Sequence, residues 1–160
     1  MKQFFNVIES PFGPLSSVVA DGQVKAIHFG ALSESETRLR SAERTHFVDQ
    51  QLDEYLRKER TQFDLPLAPA GSEFQNQVWS LLLKIPYGST RTYGDLAAEL
   101  GYTGAARAVG RANATNPIAI VIPCHRVIGS SGSLTGYAGG LDMKEKLLQF
   151  EMGLTPSLFD

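Results

Sequence analysis

The spacing of apolar residues changes at Ala68-Pro69-Ala70-Gly71, and that change constrains the chain more than any other feature. Upstream, the apolar runs are short and β-prone. Downstream, they recur every three or four residues, the period of a helix face. Ser17-Val18-Val19-Ala20 and Val24-Lys25-Ala26-Ile27-His28-Phe29 flank Asp21-Gly22, a dipeptide suited to a tight hairpin. Ser10-Pro11-Phe12-Gly13-Pro14-Leu15 reads as a turn before them. Ser33 with Glu36 forms a capping-box pattern that predicts a polar helix to about Arg44. Phe47, Leu52, Tyr55 and Leu56 space as one face of a second helix, and Thr61 to Leu67 as a further strand. The expectation is a small α+β domain over residues 1–67 and a linker at 68–71.

Residues 72–160 read as a second domain. Ser72 and Gln75 repeat the capping box, and Phe74, Val78, Leu81, Leu82 and Ile85 follow at helical spacing, so a helix is predicted over Ser72–Ile85. Thr92 with Asp95 opens another, with Leu96 and Leu100 on one face before Gly101. An Ala-rich stretch from Thr103 to about Ala114 is helix-prone, and the pair resembles a helix-turn-helix. Ile118-Ala119-Ile120-Val121-Ile122 is continuously apolar and suggests a buried strand or extended segment, stopped by Pro123. A Gly- and Ser-rich loop runs from Gly129 to Gly140, and a last helix covers about Asp142–Glu151.

The 15 Lys and Arg against 17 Asp and Glu give a net charge of −2, which argues against a strongly basic nucleic-acid binder. The distribution softens this: four arginines between Arg91 and Arg126 face only Asp95 and Glu99, compatible with a small phosphate-contacting surface. No apolar run approaches the ~20 residues of a membrane span, and the N-terminus does not read as a secretory signal. The one cysteine, Cys124, rules out an intramolecular disulfide and a multi-cysteine zinc site, and a reducing cytoplasm is the natural setting.

A lone cysteine is more often an inert buried hydrophobe than a nucleophile. Here Pro123 fixes the backbone beside the thiol, His125 and Arg126 follow it, and the next loop is rich in glycine. A neighbouring base or positive charge makes a thiol nucleophilic. Adjacent residues on an extended chain point to opposite sides, so the Cys124–His125 link is either direct or bridged by water.

Ile122-Pro123-Cys124-His125-Arg126-Val127 resembles the active-site signature of the O6-alkylguanine-DNA alkyltransferases. The likeness extends upstream to Phe74-Gln75-Asn76-Gln77-Val78-Trp79, Ile85-Pro86-Tyr87-Gly88, Tyr93-Gly94-Asp95-Leu96-Ala97, Ala105-Ala106-Arg107-Ala108-Val109-Gly110 and Asn116-Pro117-Ile118. Downstream it includes Ser131-Gly132, Gly136-Tyr137-Ala138-Gly139-Gly140, Lys144-Glu145-Lys146-Leu147-Leu148 and Glu151, about residues 72–153 in all. Residues before the linker resemble the family loosely, through Ser10-Pro11-Phe12-Gly13-Pro14-Leu15.

The resemblance implies a ribonuclease H-like N-terminal α/β domain and a C-terminal helix-turn-helix or winged-helix-like domain. It implies irreversible transfer of an alkyl group from O6 of guanine to Cys124, with O4-alkylthymine a further candidate substrate. His125, water and Glu151 would form a proton relay, Tyr93 would donate toward N3 of the base, and Asn116 would tie the recognition helix to the active-site turn. Arg107 would fill the stack vacated by a flipped base, with Thr92, Ala105, Ala106 and Gly110 along the DNA-facing surface. Val127, Tyr137, Ala138 and Gly139 would line the base pocket, carbonyls of Cys124 and Val127 would read the exocyclic amine, and Lys144 would support the loop. The implied partner is duplex DNA approached from the minor groove by a monomer, with no membrane, no cofactor and no metal.

Three departures from relatives stand out. Some bind zinc through N-terminal cysteines, which this chain lacks, and some have proline where Ala119 stands. A related group carries tryptophan in place of the nucleophile, and Cys124 excludes this chain from it. Two other readings compete: a non-catalytic helix-turn-helix module with a buried Cys124, and a turnover cysteine hydrolase. The hydrolase wants an oxyanion hole and a distant histidine, and neither His28 nor His46 has a supporting motif.

Overall fold

The computed structural model describes residues 2–102, 104–129 and 140–153. The chain is mixed α+β and divides into two compact units, Met1–Ala70 with Pro117–Ala119, and Gly71–Asn116 with Ile120–Asp160. Among the described residues no helix is long and apolar enough to cross a membrane.

In the first unit, strands β1 (Gln3–Ile8), β2 (Leu15–Ala20), β3 (Gln23–Phe29) and β4 (Arg38–Arg40) form one sheet in the order β3-β2-β1-β4. The β2–β3 hairpin turns on Asp21 (φ 53°) and Gly22 (φ 73°), both in the left-handed region that a primed two-residue turn demands. Helix α1 (Ala42–Leu56) packs Val48, Leu52 and Tyr55 on one sheet face. Its Asp49 accepts from Asn6 Nδ2 (3.1 Å), Ser17 Oγ (2.6 Å) and Thr45 Oγ1 (2.7 Å), so the polar atoms on that face are paired.

The helix expected from Ser33 to Arg44 does not form. Ser33 to Arg40 contains one apolar residue, Leu39, and so has no stripe to bury as a helix. Arg38–Arg40 instead extends the sheet as β4, parallel to β1, and Ser41 caps α1 by accepting from the Arg44 N–H at 3.2 Å. Thr61 to Leu67 is not a strand either. It makes one bridge, Leu67 to Val24, with Val24 N–H donating to the Pro66 carbonyl at 2.8 Å. Pro66 has no N–H with which to extend a ladder.

The second unit is built on helices α2 (Glu73–Leu82), α3 (Tyr93–Glu99), α4 (Ala106–Ala114) and α5 (Leu141–Met152). Both predicted capping boxes are formed: Ser72 with Gln75 on α2, and Thr92 with Asp95 on α3. Helix α4 packs against α2 and α3, and Trp79 Nε1 of α2 donates to the Ala112 carbonyl at 2.9 Å. Two-residue strands β5 (Arg91–Thr92) and β6 (Val127–Ile128) pair in parallel. The apolar run at 118–122 is not a strand. Ile118 makes one bridge to Ile27, and the chain then turns through Ile120 at φ 71°. That conformation costs a β-branched residue about 1–3 kcal/mol, and the complete burial of Ile120 holds it there.

Gly71 is fixed by close approach. A Cβ there would lie 2.5 and 2.6 Å from ring carbons of Trp79 and 2.9 Å from Gln75 Oε1. Gly71→Ala should destabilise the protein by about 1–3 kcal/mol through overpacking, read as a lower urea midpoint. Gly94→Ala, on the exposed side of α3 with its nearest neighbour at 3.8 Å, should raise the midpoint or leave it unchanged.

Candidate active site

Cys124 opens a 3₁₀ turn, Cys124–Arg126, directly after Pro123. The extended backbone assumed from sequence is therefore replaced by a turn. Cys124, His125 and Arg126 are all buried in it. Two asparagines hold the turn. Asn113, in the last turn of α4, donates to the Cys124 carbonyl at 3.1 Å. Asn116, just past α4, donates from Nδ2 to the Ile122 carbonyl (2.7 Å) and to Cys124 Sγ (3.0 Å). The end of α4 and the cysteine turn are thus joined through hydrogen bonds, one of them on the sulfur.

Behind the cysteine, His125 Nε2 lies 2.7 Å from Glu151 Oε2, with both side chains fully buried. The same carboxylate takes a two-pronged contact from Arg126, Nε to Oε1 at 2.8 Å and Nη2 to Oε2 at 2.9 Å. Arg126 Nη1 donates to the Ile85 carbonyl at 2.6 Å, and its guanidinium lies 5.7 Å from the Tyr87 ring centroid. Burial pushes the Glu151 carboxyl toward its neutral form, but His125 and Arg126 overcome this and hold it well below the ordinary carboxylate range. It is therefore an ionised acceptor, and Nε2 of His125 carries the hydrogen between them. Burial, the largest influence, holds His125 below its ordinary pKa despite the opposing pull of Glu151. The neutral ring then presents a lone pair at Nδ1, which is buried and meets no hydrogen-bond partner among the described residues. An acceptor so placed can take a proton.

Tyr93, the first residue of α3, is buried, and its hydroxyl accepts from Lys144 Nζ at 3.1 Å. The ammonium also lies 5.4 Å from the Tyr93 ring centroid. Burial brings the Lys144 pKa down to about 8, against the pull of a Cys124 thiolate. Thr92 spends its hydroxyl capping α3. Arg107 and Arg111 are exposed on α4, one turn apart. Ala105 and Ala106 begin that helix with no side-chain cap. Gly110 lies beneath them, where an added Cβ would touch the Tyr93 ring at 3.9 Å. Val127 is buried at the start of β6. Tyr137, Ala138 and Gly139 lie outside the described residues. Among the described residues, no three His, Cys, Asp or Glu side chains are grouped to hold a metal ion.

The structure thus brings together Cys124, His125, Glu151 and Asn116, and pairs Tyr93 with Lys144, whose charge acts on both Cys124 and His125. Sequence reading missed Asn113, and it treated Arg126 only as a nearby charge rather than the partner of Glu151. The signal for Arg126 was Ile85-Pro86-Tyr87-Gly88, a helix exit in sequence whose carbonyl and aromatic ring receive the guanidinium.

The family described as "6-O-methylguanine DNA methyltransferase, DNA binding domain" matches residues 73–153. A methylated-DNA–protein-cysteine methyltransferase of Methanosarcina acetivorans is 45% identical, the match covering 92% of this chain and 97% of that protein. This chain belongs to the methylated-DNA–protein-cysteine methyltransferase family. A family member from Mycobacterium tuberculosis is 44% identical over 98% of both proteins. The crystal structure of Mycobacterium tuberculosis OGT in complex with DNA matches with a TM-score of 0.89 and 42% identity, covering 98% of this chain and 99% of that one. The O6-methylguanine-DNA methyltransferase from Pyrococcus kodakaraensis matches at a TM-score of 0.63 and 25% identity, over 93% and 98% of the two chains. The α+β architecture is therefore shared with solved methyltransferases of the family.

The buried pair makes stability depend on pH in one direction. His125 is held below its ordinary 6.5 and Glu151 below its ordinary 4.5, so the unfolded chain binds more protons in acid. Their contribution is present above about pH 6.5 and is lost as pH falls, first through His125 and then below 4.5 through Glu151. Each group adds up to about 1.4 kcal/mol per pH unit. Urea unfolding from pH 7.5 to 4 should show this slope, and His125→Asn should reduce the part that begins near 6.5, leaving the share of His28, which is also held below 6.5.

Proposed function

We propose that the second unit binds duplex DNA and that Cys124 takes an alkyl group from O6 of guanine and keeps it. Methyl transfer to cysteine in DNA repair is the family's activity, and the residue roles below are our reading. The observation that carries it is the buried array behind the sulfur: Asn116 on Sγ, Glu151 on His125, and a His125 Nδ1 lone pair left to accept.

In this reading, His125 Nδ1 takes the thiol proton directly or through water, and Glu151 steadies the imidazolium. The thiolate attacks the alkyl carbon in line. The carbon–sulfur bond forms as the carbon–O6 bond breaks, and guanine departs with the electron pair. Tyr93 supplies a proton to N3, and the Lys144 ammonium on its oxygen stabilises the phenolate that develops. The Cys124 carbonyl already accepts from Asn113 and from the Val127 N–H, so the Val127 carbonyl is the better reader of the exocyclic amine. The pocket wall is assigned to Tyr137, Ala138 and Gly139 from the family resemblance alone, since they lie outside the described residues.

DNA meets α4, where Arg107 enters the stack from the minor groove as the damaged base leaves it. Ala105, Ala106 and Gly110 let the helix lie close, and Thr92 borders the same surface. We read α3 and α4 as the helix-turn-helix of a winged-helix-like domain, the first unit as ribonuclease H-like, and the protein as a monomer of the reducing cytoplasm. O4-alkylthymine presents the same alkyl–oxygen group and is a second candidate substrate. A DNA-binding module without chemistry is separated by intact mass after mixing with O6-methylguanine oligonucleotide: a gain of about one methylene on Cys124 follows only from covalent transfer.

A titration of protein with excess methylated duplex should plateau near one methyl per Cys124. A thioether offers no ready exchange or hydrolysis, and the chain has no second thiol. Product well beyond one equivalent would restore the turnover enzyme. Arg107→Ala should slow repair in duplex at least tenfold more than reaction with free O6-benzylguanine, since a free base has no stack to leave. Equal losses on both substrates would remove Arg107 from base flipping.

A further inference from the structure

The first unit carries a cluster of cations that the alkyl-transfer reaction does not use. In the sheet register, Gln3 faces Arg38, Phe5 faces Val18, and Val18 faces Ala26. Asn6 and Ser17, the next pair, turn to Asp49 of α1. Strand alternation therefore places Gln3, Arg38, Val18, Ala26 and His28 on the face away from α1. An irregularity between Val18 and Val19 brings Lys25 to the same place. These side chains surround a cavity of about 330 Å³, and none of the residues lining it is acidic.

The cations there are under-served. Arg38 Nη2 donates to the Ser33 carbonyl at 3.2 Å, and the guanidinium carbon lies 5.8 Å from the Phe5 ring centroid. Arg38 Nε is buried and meets no acceptor among the described residues. Partial burial, and then the positive charge of Arg38, push the His28 pKa down. Like charges gathered round one cavity, with no acidic side chain among its lining residues, form an arrangement that an oxyanion completes.

We infer that this cavity binds a phosphate group, with the Arg38 guanidinium and Lys25 as charged donors, Gln3 as a neutral donor and His28 at the rim. A phosphate offers several acceptor oxygens and two charges, which suits a set of donors on three strands better than a single carboxylate does. The group belongs either to a small free phosphate compound or to a DNA backbone.

The test uses the full chain, titrated with inorganic phosphate at constant ionic strength and followed by ¹⁵N NMR. Saturable shifts should be confined to Gln3, Lys25, His28 and the Arg38 side chain. Arg38→Gln and, separately, Lys25→Gln should each weaken binding at least fivefold, whereas Arg40→Gln, which is exposed and bonded to Asn6, should not. The Lys25 variant decides the matter if Arg38→Gln fails to fold. Undamaged duplex added at low salt separates the sources. Displacement of phosphate at these resonances assigns the site to the DNA backbone, and no displacement assigns it to a small phosphate compound. Absence of saturable shifts, or shifts unchanged in the Lys25 variant, would overturn the proposal.

Discussion

One carboxylate organises the second unit. Glu151 projects from α5 into a space with no water-like surroundings and is ionised there, which is costly unless its lone pairs are filled. His125 and Arg126, consecutive on a single 3₁₀ turn, fill them. Because Arg126 also reaches the Ile85 carbonyl after α2, the carboxylate indirectly fixes the end of α2, the cysteine turn and α5 in one arrangement. Removing one partner of such a buried pair commonly costs about 3–5 kcal/mol. The same contact sets the tautomer of His125, so the chemistry of the ring and the packing of the unit share one origin.

The opposite side of Cys124 is held with neutral groups. Asn113 and Asn116 take the carbonyl and the sulfur, and both come from the end of α4. Asn serves because one amide can donate twice from a short side chain. The strained backbone at Ile120 lies between Asn116 and Cys124 and belongs to the same construction: the chain must reverse within a few residues to bring the sulfur back to Asn116. Packing of a fully buried side chain, rather than a permissive glycine, secures that reversal.

Elements whose cause is local were legible in the sequence. Asp21-Gly22 specifies its turn through backbone sterics, and the capping boxes on α2 and α3 are self-contained hydrogen-bond exchanges within four residues. The Ser33–Glu36 pattern has the same letters without an apolar stripe behind it, and tertiary pairing with β1 overrode it. The run 118–122 failed for a related reason. Apolar continuity reports burial and not strand geometry, and Ile120 is buried in a turn. Cys124, His125 and Glu151 were recognisable as a set only through family resemblance, because 26 positions separate the histidine from its carboxylate. Arg126 was missed as a partner because its contacts come from two distant places in the chain, Ile85 with Tyr87 and Glu151.

The first unit is not one stretch of sequence: Pro117–Ala119 completes it, through the bridge of Ile118 to Ile27 and the Ile27 N–H to the Pro117 carbonyl at 3.0 Å. On the ribosome this matters. Chains emerge from the N-terminus and domains usually fold as they become available. Here the free edge of β3 stays partly uncovered until α2, α3 and α4 have all been synthesised, and Cys124 follows within a few residues of its closure. The first unit cannot reach its final form until residues 117–119 have been made, so the nascent chain carries a partly uncovered strand edge for most of its synthesis. Gln23 and Lys25, polar residues at the start of that edge strand, suit it to the wait, because charge and polarity discourage pairing with a neighbouring chain.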